Sequence, residues 1–310
     1  MTDLIMTAPM PPKVMEDLAE HFTIHKLWEA EDKAAFLAEC SQVEFMATGG
    51  HSGCDAALMD ALPSLRTISS FGVGYDGIDV KAAHERGINV TNTPDVLNDA
   101  VAELAMGMML ALCRRIVDAD KFVREGKWPD GGYALTGELT GAKVGILGLG
   151  RIGKEIARRA QVFKMQVAYH GRNKQPYEPY EYYSDLTEMA KDVDWIIAVV
   201  PDNPATRKLV NRDVLHALGP NGAIVNLGRG TLIDEEVMLE MLKSGELGGA
   251  ALDVFDQEPK MSPEFWELPN VVLSPHQGSA TVKTRIAMGD MVVENLIRAK
   301  DNRPLLSPIG

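Results

Sequence analysis

Three kinds of side chain suited to moving protons and holding carboxylates recur at matching places in the second half of the chain. Each follows a short β-prone apolar run. Arg229 comes after Ala223-Ile224-Val225, the acids Asp253, Asp256 and Glu258 after the next run, and His276 after Val271-Val272-Leu273. Histidine exchanges a proton near neutral pH, so it suits an acid that protonates a carbonyl oxygen as negative charge builds there. A carboxylate on its other ring nitrogen favours the imidazolium and fixes the ring. A guanidinium between glycines, as in Gly228-Arg229-Gly230, polarises a carbonyl and grips a planar carboxylate. Spacing does not decide among the three acids. Any one of these residues alone reads as a solvated loop side chain; their common position at strand ends carries the argument.

A source of electrons is written upstream. Val144-Gly145-Ile146-Leu147 reads as a strand, Gly148-Leu149-Gly150-Arg151-Ile152-Gly153 carries three glycines in the Gly-x-Gly-x-x-Gly pattern, and a helical stretch follows. Gly148 permits the tight turn, Gly150 lets backbone approach a pyrophosphate, Gly153 lets helix pack on sheet, and the helix amino end offers N–H groups to phosphate. The strand before and the helix after make this a dinucleotide site rather than a plain loop. The next strand ends in His170-Gly171-Arg172-Asn173-Lys174, where an acid would bind ribose hydroxyls and none stands. Arg172, with His170 or Lys174, suits a 2′-phosphate instead, so NADPH/NADP is expected in preference to NADH/NAD. The bland alternative is a solvated basic turn.

These groups need a sheet to position them. Strands are predicted at 143–148, 166–170, 194–199, 222–227, 249–254 and 271–274, with helices over Arg151–Phe163, Arg212–Leu218 and Asp234–Ser244 between them. Six strands with crossovers make a complete dinucleotide-binding fold. The first 95 or so residues alternate in the same way and imply another parallel sheet covered on both faces. Its glycines cluster in Thr48-Gly49-Gly50-His51 and Phe71-Gly72-Val73-Gly74, either as plain turns or, at Val73 and Gly74, as backbone N–H groups that receive a carboxylate. A long helix over Asn98–Arg115 leads to an irregular aromatic arm, Gly126–Tyr133, which is a surface loop or packs on a second subunit. A last amphipathic helix, about Thr281–Lys300, can return to the first domain. The fold class is therefore α/β, with two doubly wound parallel-sheet domains. A Rossmann cofactor domain, 98–283, is inserted into a flavodoxin-like substrate domain made of 1–97 and 284–310.

Composition narrows the partners. A net charge of −13 over 310 residues argues against nucleic acid and anionic membrane surfaces. The apolar run Ala105–Cys113 is too short to span a bilayer, and the amino-terminal residues do not read as a signal peptide, so a cytoplasmic protein is expected. Cys40, Cys54 and Cys113 show no metal-ligand spacing; they read as reduced thiols, and no metal is expected.

Taken together, the chain resembles the D-2-hydroxyacid dehydrogenase family, in particular its glyoxylate/hydroxypyruvate reductase branch. The resemblance runs almost end to end, through Gly72–Asp79, Thr93–Leu97, Ala102-Glu103, the glycine loop, Asn226–Gly230, and Glu258-Pro259 through His276. Twenty-nine residues from Arg229 to Glu258 and eighteen from Glu258 to His276 agree with the family's spacing. The resemblance implies Arg229 as substrate clamp, Glu258 rather than Asp253 or Asp256 as partner of the histidine, and His276 as general acid in reduction. It implies carboxylate binding at Val73 and Gly74, Asp253 as partner of the nicotinamide carboxamide, and phosphate and ribose contacts at Arg151, Ile152, Pro201 and Thr206. It also implies a homodimer formed through the cofactor domain. The expected activity is reduction of small 2-oxo acids, glyoxylate and hydroxypyruvate first, with pyruvate, phenylpyruvate or a non-catalytic nucleotide-sensing module as alternatives.

Overall fold

The computed structural model describes residues 2–49 and 52–310, so Gly50 and His51 of the first glycine cluster lie outside the described residues. Two compact units are present: the chain up to Leu97 together with Ala280–Gly310, and Asn98–Ser279 between them.

The first unit runs β1 (Thr2–Met6), α1 (Pro12–His21), β2 (Phe22–Lys26), α2 (Lys33–Glu39), β3 (Phe45–Gly49), α3 (Ala56–Asp60), β4 (Thr67–Phe71), α4 (Val80–Glu85) and β5 (Asn89–Thr91). Its five strands are all parallel in the order β2-β1-β3-β4-β5. Leu4, Ile5 and Met6 of β1 and Phe45, Met46 and Ala47 of β3 are buried in succession. That continuous burial is what a parallel sheet covered on both faces demands, in place of the alternation of a half-exposed one. Asp32, Asp55 and Asp79 each accept a first-turn N–H of the helix that follows, which starts α2, α3 and α4 where they start. The three-residue β5 leaves too short a pattern to be read from the sequence.

The second unit continues with α5 (Asn98–Cys113), α6 (Ile116–Arg124), β6 (Lys143–Leu147), α7 (Arg151–Val162), β7 (Gln166–His170), β8 (Glu181–Tyr183), α8 (Leu186–Asp192), β9 (Trp195–Ala198), α9 (Arg212–Leu218), β10 (Ala223–Asn226), α10 (Glu235–Ser244), β11 (Gly249–Leu252) and β12 (Val271–Leu273). Its parallel strands are ordered β12-β11-β10-β9-β6-β7-β8, so the chain reverses direction across the sheet between β6 and β9. Ligands of open α/β sheets bind at such a switch point, beyond the carboxyl ends of the strands. The sheet has seven strands where six were expected. The extra one, β8, is a three-residue, partly exposed edge strand whose Glu-Tyr-Tyr carries no hydrophobic alternation. The long helix stops at Cys113, and Arg115 in a left-handed conformation (φ 48°) turns the chain into a separate α6.

The chain then returns to the first unit as α11 (Val282–Lys300). A Cβ on Gly289 would lie 2.3 Å from the Val14 side chain, so α1 and α11 approach closely at that glycine. Thr281 caps α11 through the N–H of Thr284. The crossing at Ser279/Ala280 lies a few residues ahead of the expected 283/284, which keeps cap and helix in one unit. Among the described residues no helix is long and apolar enough to cross a membrane.

Candidate active site

His276 and Glu258 are brought together by the loops that leave β12 and β11. The ring Nδ1 of His276 lies 2.7 Å from Glu258 Oε2, while Glu258 Oε1 accepts the N–H of Phe255 at 3.0 Å. With one oxygen on its own loop and the other on the ring, the carboxylate fixes the imidazole's orientation. The proton shared at Nδ1 makes Nε2 the nitrogen from which a transferable proton leaves.

The histidine's backbone is as constrained as its ring. His276 adopts the left-handed conformation (φ 53°), rare for a residue with a Cβ. Asp253, 1% exposed, supplies the bonds that hold it there. Its Oδ1 accepts the Ser274 hydroxyl (2.5 Å) and the Gln277 N–H (2.6 Å), its Oδ2 accepts the Gly278 N–H (2.8 Å), and its carbonyl accepts the His276 N–H (2.8 Å). A buried carboxylate at the end of β11 thus ties down the turn that presents His276, and the three bonds it accepts offset the cost of burying it.

Arg229 sits one strand away, just past β10, on a turn organised by Asn226. The Asn226 amide donates to the Arg229 carbonyl (2.9 Å) and accepts the Gly228 N–H (3.1 Å) from a site only 1% exposed. The guanidinium Nη1 donates back to the Gly228 carbonyl at 2.8 Å. Next to it, Gly230 is required by close approach: a Cβ there would fall 1.8 Å from the backbone carbon of Phe255. The Arg229 turn therefore lies directly against the loop that carries Glu258.

The glycine loop distinguishes its three glycines sterically. Gly148 has φ 101°, and a Cβ on it would press against Val200; a Cβ on Gly153 would meet the Gly148 carbonyl oxygen at 2.1 Å. A Cβ on Gly150 would meet nothing within 4 Å, so its smallness serves no contact inside the protein. Gly150 is the N-cap of α7 and no side chain caps that helix end. An open backbone surface at a helix amino end fits the pyrophosphate of a dinucleotide. Arg151 and Ile152 are the first two residues of α7, and Thr206 closes a turn onto Pro201 by donating its hydroxyl to the Pro201 carbonyl at 2.8 Å.

At the end of β7, His170 Nδ1 donates to the Tyr183 carbonyl at 3.0 Å, and the exposed Arg172 follows two residues on. Gln175 ties this turn to the glycine loop by donating its amide to the Leu149 carbonyl (2.6 Å), and its own N–H reaches the Tyr169 hydroxyl. In the first unit, the turn after β4 is held through Gly72 and Val73. The Gly72 N–H donates to Thr93 Oγ1 (3.1 Å), the Gly72 carbonyl accepts the Thr93 N–H (2.9 Å), and the Val73 carbonyl accepts the Asn92 amide (2.9 Å). Among the described residues the N–H groups of Val73 and Gly74 have no acceptor.

Comparison with known proteins identifies the family. Residues 106–278 match the model of the NAD-binding domain of D-isomer-specific 2-hydroxyacid dehydrogenases. The chain belongs to this family. It is a nicotinamide-dependent oxidoreductase of 2-hydroxy and 2-oxo acids. Hydroxyphenylpyruvate reductase of Plectranthus scutellarioides is 43% identical over 307 residues, covering 99% of this chain and 98% of that one. A glyoxylate/hydroxypyruvate reductase of Arabidopsis thaliana is 42% identical with the same coverage. In structure, the NADPH-dependent glyoxylate/hydroxypyruvate reductase of Sinorhizobium meliloti, solved with NADP and malonate, superposes with a TM-score of 0.94 at 42% identity, covering 100% of this chain and 97% of that one.

Sequence reasoning about this dehydrogenase overlooked several residues that hold the site. Asn226 stood in the Arg229 motif without a role, although an amide directly before a Leu-Gly-Arg-Gly turn is a common way to tie such a turn. Gln175 and Ser274 carried no signal, since each acts through a partner at least twenty residues away. Asp253 carries a structural duty beyond the carboxamide contact the resemblance implied.

Proposed function

We propose that the protein reduces small 2-oxo acids, glyoxylate and hydroxypyruvate first, with NADPH as the preferred reductant. The observation that carries the chemistry is the bonded His276–Glu258 pair, at 2.7 Å, on the loop beside the Arg229 turn. Val73 and Gly74 offer their N–H groups to a carboxylate. Arg229 suits polarisation of the 2-oxo group. When bound, the nicotinamide cofactor supplies a hydride to the carbonyl carbon. His276 gives the proton from Nε2 to the carbonyl oxygen, and Glu258 stabilises the imidazolium before transfer and holds the ring in line throughout. In the reverse direction His276 takes that proton back. Asp253 keeps a lone pair on Oδ2 after its bond to Gly278, which suits the cofactor's carboxamide.

Gly148, Gly150 and Gly153, with Arg151 and Ile152, hold the pyrophosphate, and Pro201 and Thr206 lie along the cofactor. Preference for NADPH rests on the end of β7. His170, Arg172 and Lys174 follow one another there with no acid among residues 170–174 for the ribose hydroxyls, and Arg172 is exposed without a partner among the described residues. The related Sinorhizobium meliloti enzyme is NADPH-dependent. Loss of absorbance at the nicotinamide band, with each cofactor against glyoxylate, hydroxypyruvate, pyruvate and phenylpyruvate, tests the proposal. It predicts kcat/KM at least about tenfold higher with NADPH than NADH, from one to two charge-assisted bonds, and highest with the two small polar acids. A preference for NADH contradicts the role of Arg172. Turnover confined to phenylpyruvate moves the substrate, and none with any acid favours a nucleotide-sensing module.

A second copy of the chain is the partner that fits the second unit. Ile116, Val117 and Val123 of α6, Trp128, and a fully exposed Leu135 in the arm that follows present apolar side chains to solvent. An isologous pairing of this face buries them. Sedimentation should give the mass of two chains, and a monomer at micromolar concentration contradicts it.

A further inference from the structure

Arg285 is the fourth residue of α11 and lies half-buried, its guanidinium 5.5 Å from the centroid of the Phe71 ring. Comparable arginines in the molecule are matched: Arg86 with Asp60, Arg159 with Asp99 and Glu155, Arg298 with Glu294. Arg285 has no hydrogen-bond acceptor and no acid among the described residues. Burial alone acts on its ionisation, pushing its pKa down with no carboxylate to offset it. A ring face attracts the cation but accepts none of its five N–H donors in their plane. Leaving such a group half out of water without an anion is unfavourable unless a ligand supplies the anion.

Its location says which ligand. Ser69 in β4 donates its hydroxyl to the Val292 carbonyl, and Phe71 carries Arg285, so α11 runs back along β4 with its amino end at the strand's carboxyl end. Phe71 is the last residue of β4, and the two N–H groups without acceptors, Val73 and Gly74, come two and three residues later. A cation without an anion and two donors without an acceptor thus share one end of one strand. The positive end of α11 adds to the same field.

We infer that Arg285 is a substrate-binding residue whose guanidinium, seated on Phe71, joins the Val73 and Gly74 N–H groups in holding the anionic end of a short carboxylic acid. It favours small charged acids over those that would bring an apolar group to that position. This rests on the proposed 2-oxo acid substrate.

The test uses the full-length protein with Arg285→Gln and Arg285→Lys. The readouts are KM and kcat for glyoxylate with NADPH, and calorimetric binding of malonate, a dicarboxylate with no carbonyl to reduce. Loss of one charge-assisted contact predicts that Arg285→Gln raises KM and weakens malonate binding in parallel, each about tenfold to a hundredfold, while kcat changes less than about threefold. Arg285→Lys, which keeps the charge without the planar fork, falls between. An unchanged KM and malonate affinity overturns the inference, as does an equal fall in kcat with a lowered melting temperature, which marks a purely structural role. If the wild-type chain reduces no 2-oxo acid the proposed function fails, yet selective loss of malonate binding in Arg285→Gln still supports Arg285 as the anion's ligand.

Discussion

The carboxyl end of β12 in the second unit and the carboxyl end of β4 in the first are finished in opposite ways. Past β12, His276 is bonded at its ring, its N–H and its flanking amides by Glu258 and Asp253. Past β4, the backbone turn is pinned through Gly72 and Val73, but among the described residues the Val73 and Gly74 N–H groups have no acceptor and the Arg285 cation has only the Phe71 ring. A proton donor must be aimed before the substrate arrives, because reorganising it during the reaction adds to the barrier. An anion site works the other way: its donors stay unsatisfied until the ligand completes them. Polar groups bonded in advance mark the chemistry, and polar groups left open mark the binding.

Breaking the bonded end should cost turnover. Glu258→Gln keeps the volume but removes the charge that stabilises the imidazolium and lets the amide present a donor to Nδ1. The account predicts a loss of about a hundredfold or more in kcat, with KM little changed, measured by steady-state reduction of glyoxylate. An equal rise in KM with kcat intact would put Glu258 on the binding side of the comparison. A smaller effect is expected one residue further from the chemistry. Asp253→Asn turns one acceptor oxygen into a donor facing the Gln277 or Gly278 N–H, releasing the left-handed turn at His276. Thermal and denaturant unfolding should show a stability loss of about 1–3 kcal/mol, and kcat should fall about tenfold. Undiminished stability would mean that the turn holds itself.

Much of this division can be read from residue types, and the remainder fails for identifiable reasons. The glycine loop is legible because strand, glycines and helix are contiguous, and Arg229, Glu258 and His276 are legible because each ends a strand. Which acid meets the histidine was not settled by spacing, since Asp253, Asp256 and Glu258 lie within six residues. The structure gives each a separate place: Glu258 on the ring, Asp253 on the backbone of the turn, and Asp256 offering its N–H to Glu235. The left-handed conformation of His276 has no sequence signal, because the residue that most often adopts it is glycine. Arg285 was invisible for a different reason. It meets Phe71 across more than two hundred residues, through a helix whose amphipathic pattern describes its buried face and is silent on a partly buried cation. Strand β8 and the break between α5 and α6 are local details that short edge pairing and one left-handed arginine decide.

The central claim is that the bonded histidine performs proton transfer and takes no part in holding the cofactor. Its most direct test is His276→Ala, with NADPH affinity followed by fluorescence titration and turnover followed by NADPH oxidation with glyoxylate. The account predicts a fall in kcat of about a thousandfold with NADPH affinity within about threefold of wild type. Parallel loss of turnover and NADPH affinity, or turnover that survives the substitution, would contradict it.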